Sequence, residues 1–212
     1  LADDPAVSLR WRLVLGAVLV LAFVALAWAV VGTDALTAFD QRANAFFGWW
    51  RVQPWLAVFL WITELGTGAA RIAVTATASG LLWAFRRGAL LLPLWVGYLG
   101  SEATTWAAKY LIGRHRPEFT TSASAASPSF PSAHAAGSLI VYGLVAWLIA
   151  REVESPAGRR GVVLVAAAAV LLIGFSRVLL GVHYLSDVAG GYLVAGVWLL
   201  VATGVAERRR GG

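Results

Sequence analysis

The chain has 212 residues and no cysteine or methionine; it has three histidines and a single lysine, Lys109, among 17 basic residues. Without cysteine it can form no disulfide and offer no thiolate to a metal. Charge is also scarce. Asp, Glu, Lys and Arg make up 13% of the residues, and 59% are hydrophobic, whereas a soluble domain averages about 25% charged residues. With a mean hydropathy of +0.74, this excludes an ordinary soluble globular domain and points to an integral membrane protein. The net charge is +6 and the pI about 10.5. In a soluble chain that would raise nucleic acid as a partner. Here most basic residues flank hydrophobic runs and read as topology signals, so the expected surroundings are a lipid bilayer, with no nucleic acid.

Residues 13–31 are uncharged and apolar, long enough to cross a bilayer. The run is long for a signal-peptide core and has no convincing cleavage site, so a retained anchor is expected. Five further spans are expected at about 66–85, 88–110, 133–150, 161–177 and 187–206, all helical because a helix satisfies its own backbone in lipid. The predicted fold is all-α: a polytopic membrane protein with six transmembrane helices, forming one domain over 1–212. No internal repeat is apparent. Segment 33–65 is read as lying outside the bilayer, its first part interrupted by Asp34, Asp40, Arg42 and Arg51. A short interfacial helix is expected over 54–65, opened by Pro54. Trp49, Trp50, Trp55 and Trp61 suit the headgroup layer as an aromatic belt, or the wall of a lipid entry portal. Residues 118–130 read as a Ser/Ala-rich outer loop.

With six spans, the side holding both termini carries ten basic residues: Arg10, Arg12, Arg86, Arg87, Arg151, Arg159, Arg160, Arg208, Arg209 and Arg210. The other side carries seven, of which Lys109, Arg116 and Arg177 belong to the motifs below. This bias predicts both termini in the cytoplasm, in an inner (plasma) membrane, with the motifs on the outer face.

Three segments carry chemistry: KYLIGRHRP (Lys109 to Pro117), PSAH (Pro131 to His134) and SRVLLGVHYLSD (Ser176 to Asp187). Arginine and lysine bind phosphate by charge-assisted hydrogen bonds. Lys109 and Arg116 are seven apart, two turns on one face if the helix continues, and Pro117 would end it. Arg177 supplies a third cation. Ser132 is a natural N-cap, which would leave the amides of Ala133 and His134 at a helix N-terminus, where anions bind. His134 in that first turn is placed to protonate a leaving oxygen. His183 and Asp187 are four apart, neighbours if on one helix. The carboxylate would fix the tautomer and leave the other ring nitrogen to attack. Gly181 would let the chain turn between Arg177 and His183.

Taken together in this order, the segments resemble the three signatures of the type 2 phosphatidic acid phosphatase superfamily: K-x(6)-R-P, P-S-G-H and S-R-x(5)-H-x(3)-D. Every position matches except Ala133, where the family has glycine. The signatures cover Lys109 to Asp187, and the helical layout resembles the family's membrane branch. The resemblance implies a lipid phosphatase needing no metal and no cofactor. His183 would attack phosphorus and form a phosphohistidine, and His134 would protonate the departing oxygen and then help water cleave the intermediate. Lys109, Arg116, Ser132 and Arg177, with the backbone at Ala133, would hold the phosphate oxygens, and Asp187 would orient His183. By family analogy the first substrate is undecaprenyl pyrophosphate at the outer leaflet, with phosphatidylglycerol phosphate and phosphatidic acid as rivals. A lipid phosphotransferase would use the same intermediate, and a non-catalytic lipid-binding or flipping protein is the remaining alternative. The sequence leaves the oligomeric state open. Outside the signatures, Glu102 reads as a structural pair between spans, Arg71 and Glu64 as interfacial anchors, and His115 as a bystander. Gly190, Gly191, Ala195 and Gly196 read as packing positions on the last span.

Overall fold

The computed structural model describes residues 5–117 and 126–208. Residues 118–125 of the Ser/Ala-rich segment, and Arg209 and Arg210 of the charge count, lie outside them. Among the described residues there are eight α-helices and one 3-10 turn, Gly88–Leu90, and no strand. The helices are α1 (Pro5–Gly32), α2 (Asp34–Gly48), α3 (Trp55–Glu64), α4 (Gly68–Ala84), α5 (Leu91–Ile112), α6 (Ala133–Ala150), α7 (Pro156–Leu179) and α8 (Leu185–Arg208). The chain is an integral membrane protein, all-helical as expected.

Among the described residues four helices are long and apolar enough to cross a membrane: α1 from Leu9, α6, α7 and α8. A fifth is reached if α3 and α4, which meet at a 44° bend, count as one broken span. The third expected span, α5, has the length but not the apolarity, because it carries Ser101, Glu102, Thr104, Thr105 and Lys109. Segment 33–65 holds two helices, α2 running through Asp34 and Asp40, and α3 where the short helix after Pro54 is expected. Asp34 sits in the first turn, where a carboxylate complements the helix dipole. Arg51 follows α2 and bonds the last carbonyls of α7, with Nε donating to Leu179 O at 2.8 Å and Nη2 to Val178 O at 3.3 Å.

Helix α6 lies at the centre, packed on α4, α5, α7 and α8, while α1 lies along α8. Leu94 and Tyr98 of α5, Ile140, Val141 and Leu144 of α6, and Ala195 and Ala202 of α8 form the main core. Small residues set the helix spacing, as in other membrane bundles. A β-carbon on Gly191 would lie 2.5 Å from Ser132 O, and one on Gly190 would lie 2.6 Å from the Phe130 ring. These two positions therefore serve packing, and they seat α8 against the start of α6. At the far end Arg12 ties α1 to α8, through Thr203 Oγ1 at 2.8 Å and Glu207 Oε1 at 2.6 Å.

Candidate active site

One end of the bundle gathers the motif residues: the C-terminal ends of α5 and α7, the N-terminal ends of α6 and α8, and the segments joining them. Lys109 lies in the last turn of α5 and is 1% exposed. The helix stops three residues later, because Gly113 takes a left-handed conformation (φ 65°) and its N–H returns to Lys109 O at 2.9 Å, a glycine C-cap. This corrects the expectation of a helix continuing to Arg116, which comes instead from the extended segment after the cap. Ser132 is the N-cap of α6, its hydroxyl accepting from the Ala135 N–H at 3.4 Å. Ala133 and His134 occupy the first turn of α6. Arg177 lies in the last turn of α7 and is 2% exposed. Its carbonyl accepts from the N–H groups of Val182 (3.1 Å) and His183 (3.2 Å). Gly181, with φ 68°, makes the turn that brings His183 back under Arg177.

His183 precedes α8 rather than lying on it, and Asp187 is in that helix's first turn, so the two are not the one-helix pair expected. They still meet, Nδ1 to Oδ2 at 3.2 Å. On the other side of the ring, Arg116 Nη1 lies 3.1 Å from Nε2. A guanidinium only donates, so Nε2 accepts and the proton sits on Nδ1, facing Asp187. That tautomer leaves a lone pair on Nε2, on the side of the ring that faces Arg116. Burial, then Arg116, Arg177 and Lys109, hold the His183 pKa well below the ordinary histidine value, so the imidazole is neutral near pH 7. Arg116 is itself lowered by burial, partly offset by Asp187.

The cations surround this ring. Arg116 also donates to Val182 O (2.7 Å) and Ser127 O (2.8 Å), and Lys109 Nζ to Pro128 O (2.6 Å) and Ser129 O (3.2 Å). Arg177 Nη1 donates to Thr63 Oγ1 of α3 at 2.7 Å. His134 is within electrostatic reach of Arg177, His183 and Arg116. Three cations, a helix N-terminus and two histidines thus converge, an arrangement suited to an anion that gains charge during reaction.

Two networks were not legible beforehand. Arg71 is not an interfacial anchor; it is buried in α4, ion-paired to Glu102 of α5, and donates to Ala133 O at 3.1 Å. It thereby braces the first turn of α6. Glu102 has the structural pairing expected of it, with Arg71 as the partner. Arg114, at a variable position of the first signature, bridges two carboxylates: Nη1 to Asp187 Oδ1 at 2.6 Å and Nη2 to Asp40 Oδ2 at 2.8 Å. The signal available in the sequence was Asp40 itself, an acid in a largely apolar chain, which needs a partner. His115 is exposed, as expected of a bystander.

Residues 90–210 match the model of the PAP2 superfamily, more than half of the chain. The chain belongs to the PAP2 superfamily. Its PAP2 relatives include phosphatidylglycerophosphatase B of Bacillus subtilis (strain 168), 29% identical over 184 residues, which cover 85% of this chain and 89% of that protein. The crystal structure of a transmembrane PAP2 type phosphatidylglycerolphosphate phosphatase from Bacillus subtilis superposes with a TM-score of 0.83 at 27% identity, over 91% of this chain and 96% of the other. This PAP2 protein is a phosphatase of the membrane branch, acting on lipid phosphates.

Proposed function

We propose that the protein hydrolyses the terminal phosphomonoester of phosphatidylglycerophosphate, releasing inorganic phosphate and leaving phosphatidylglycerol in the membrane. The observation that carries this reading is the likeness to phosphatidylglycerophosphatase B along nearly the full length of both chains. It reverses the order set by sequence alone, which put undecaprenyl pyrophosphate first.

In the proposed mechanism, Nε2 of His183 attacks phosphorus in line and the bond from phosphorus to the glycerol oxygen breaks. His134 gives its proton to that oxygen. Water, losing a proton to His134, then cleaves the phosphohistidine and frees phosphate and His183. Lys109, Arg116 and Arg177, the Ser132 hydroxyl and the amides at Ala133 and His134 hold the phosphoryl oxygens. Their contribution grows as charge gathers on those oxygens. Asp187 keeps the proton on Nδ1. The same reading places six spans in the plasma membrane, both termini in the cytoplasm and the site on the outer face. The basic residues at the end remote from the site support this.

The test is phosphate release by the purified protein in detergent. Phosphatidylglycerophosphate, phosphatidic acid and undecaprenyl pyrophosphate are compared, with His183→Ala as control. Highest kcat/KM on phosphatidylglycerophosphate, lost in His183→Ala, is the expected result. Preference for undecaprenyl pyrophosphate would restore the earlier order. Release only on adding an acceptor lipid would make the protein a transferase, and none at all a lipid carrier.

A further inference from the structure

We infer that Arg114, held in place by Asp40 of α2, is a positioning residue that locks the Asp187 carboxylate behind His183. The inference rests on the reading of His183 as nucleophile and extends the catalytic unit to a helix outside the three signatures. Asp40 and Asp187 are both fully buried, and the Arg114 side chain is 10% exposed. Buried charges of this kind persist only when paired and hydrogen-bonded, and here every partner is identified. Arg114 Nη1 donates to Asp187 Oδ1 at 2.6 Å and to Ser186 Oγ at 2.7 Å. Its Nη2 donates to Asp40 Oδ2 at 2.8 Å. The Ser186 hydroxyl donates to Asp40, whose other oxygen accepts from the Ser186 N–H at 3.1 Å. The guanidinium also lies over the Tyr184 ring, 4.3 Å from its centroid.

The consequence for Asp187 is geometric. Its Oδ1 is held by Arg114, while Oδ2 faces His183 Nδ1 at 3.2 Å and the Tyr184 N–H at 2.8 Å. With both oxygens engaged, the carboxylate cannot rotate away from the imidazole. Asp40 matters because a guanidinium with only one carboxylate would be drawn wholly to Asp187, weakening the acid's hold on Nδ1–H. Helix α2, the segment after α5 and the start of α8 are tied together here by Arg114 and Ser186, so α2 bears on the nucleophile through Asp187. Arg114 itself is kept charged. Burial opposes its charge, but Asp187 and Asp40 outweigh burial and raise its pKa.

The charged groups around His183 are Lys109 from α5, Arg116 from the segment after it, His134 from α6, Arg177 from α7 and Asp187 from α8. Against that constant background, two substitutions move the field at the imidazole in opposite directions. Asp40→Asn removes a negative charge and turns Arg114 further towards Asp187, so the proton affinity of His183 falls. Arg114→Gln removes a positive charge beside Asp187 and leaves its negative charge less balanced, so it rises.

The experiment measures kcat, KM and the pH dependence of kcat/KM on one lipid phosphate. It uses full-length wild type, Asp40→Asn, Arg114→Gln, Arg114→Lys and His183→Ala. The substrate's own ionisation is common to all of them. Asp40→Asn should lower kcat ten- to a hundredfold, on the order of the loss from misplacing a reacting group, with KM within about twofold. Its acidic limb should move to lower pH. Arg114→Gln should move that limb to higher pH, and Arg114→Lys should recover part of the lost rate. A part played only in folding would lower the amount of active protein and leave both limbs in place. If Arg114→Gln does not fold, Asp40→Asn decides alone. Wild-type kcat and an unmoved limb in that isosteric variant would overturn the inference. If His183→Ala keeps activity, the nucleophile assignment fails instead, and the two failures are separate.

Discussion

Arg71 and Gly137 cross where only a hydrogen fits: a β-carbon on Gly137 would lie 1.5 Å from Arg71 Nη1. Gly137, one turn into α6, leaves the lane through which the Arg71 guanidinium reaches Glu102 and the Ala133 carbonyl. Gly137→Ala should therefore expel the guanidinium and leave Glu102 without its cation. We expect a stability loss of about 3 kcal/mol, by overpacking and by breaking a buried pair, and a fall in kcat as the first turn of α6 loosens. Thermal unfolding in detergent and steady-state kinetics measure the two. Unchanged values for both would mean that the bundle repacks there without cost.

The low pKa of His183 has a defined sign for stability. The unfolded chain protonates this histidine near its ordinary value of 6.5, and the folded protein only at lower pH. Between these values the unfolded state binds more protons, so stability falls as pH drops below about 6.5. Thermal unfolding of wild type and His183→Gln at pH 7.5 and 5.0 should show a larger loss on acidification in the wild type. Equal losses would mean that the imidazole is not held neutral by its surroundings.

Thr63 reaches the end of the bundle that gathers the signature residues, from α3, by accepting from Arg177 Nη1 at 2.7 Å. Thr63→Val keeps the side chain's shape and removes the acceptor, leaving a buried charged donor short of one partner. Inhibition by inorganic phosphate or vanadate should weaken about tenfold, in line with the loss of a hydrogen bond to a charged group. An unchanged inhibition constant would show that Arg177 is positioned without α3.

Gly113 ends α5 in the left-handed conformation. Gly113→Ala should cost roughly 1 kcal/mol and let α5 run on, rotating Arg114 and Arg116 away from Asp187 and His183. Comparing KM and kcat of this variant with those of Arg116→Ala checks the point. Losses of the same kind are expected, and a variant with wild-type kinetics would show that the cap does not set the arginines.

What could be read from the sequence was what local chemistry decides. Ser132 caps α6 because a hydroxyl ahead of an apolar run satisfies its first amides, and Gly181 turns the chain because it tolerates positive φ. Inferences that extended helical periodicity across a break did not hold. Seven residues from Lys109 to Arg116 suggested two turns on one face, but Gly113 intervenes. His183 and Asp187 are four apart, yet the helix begins between them. The span count is a related case: α5 carries Glu102 and Lys109, which find partners within the bundle, and these lower its apolarity below that of α1, α6, α7 and α8.

The sequence by itself determined a helical membrane protein, the three signatures and the residue types able to bind and attack a phosphate, because these follow from composition and short-range spacing. Only the tertiary structure decided which charge answers which. Arg71 meets Glu102 31 positions along the chain, and Arg114 meets Asp40 and Asp187 from 74 and 73 positions away. In a low-dielectric interior a buried charge must find its partner wherever packing brings one. That choice rests on how α2, α4, α5, α6 and α8 pack, which no local pattern records.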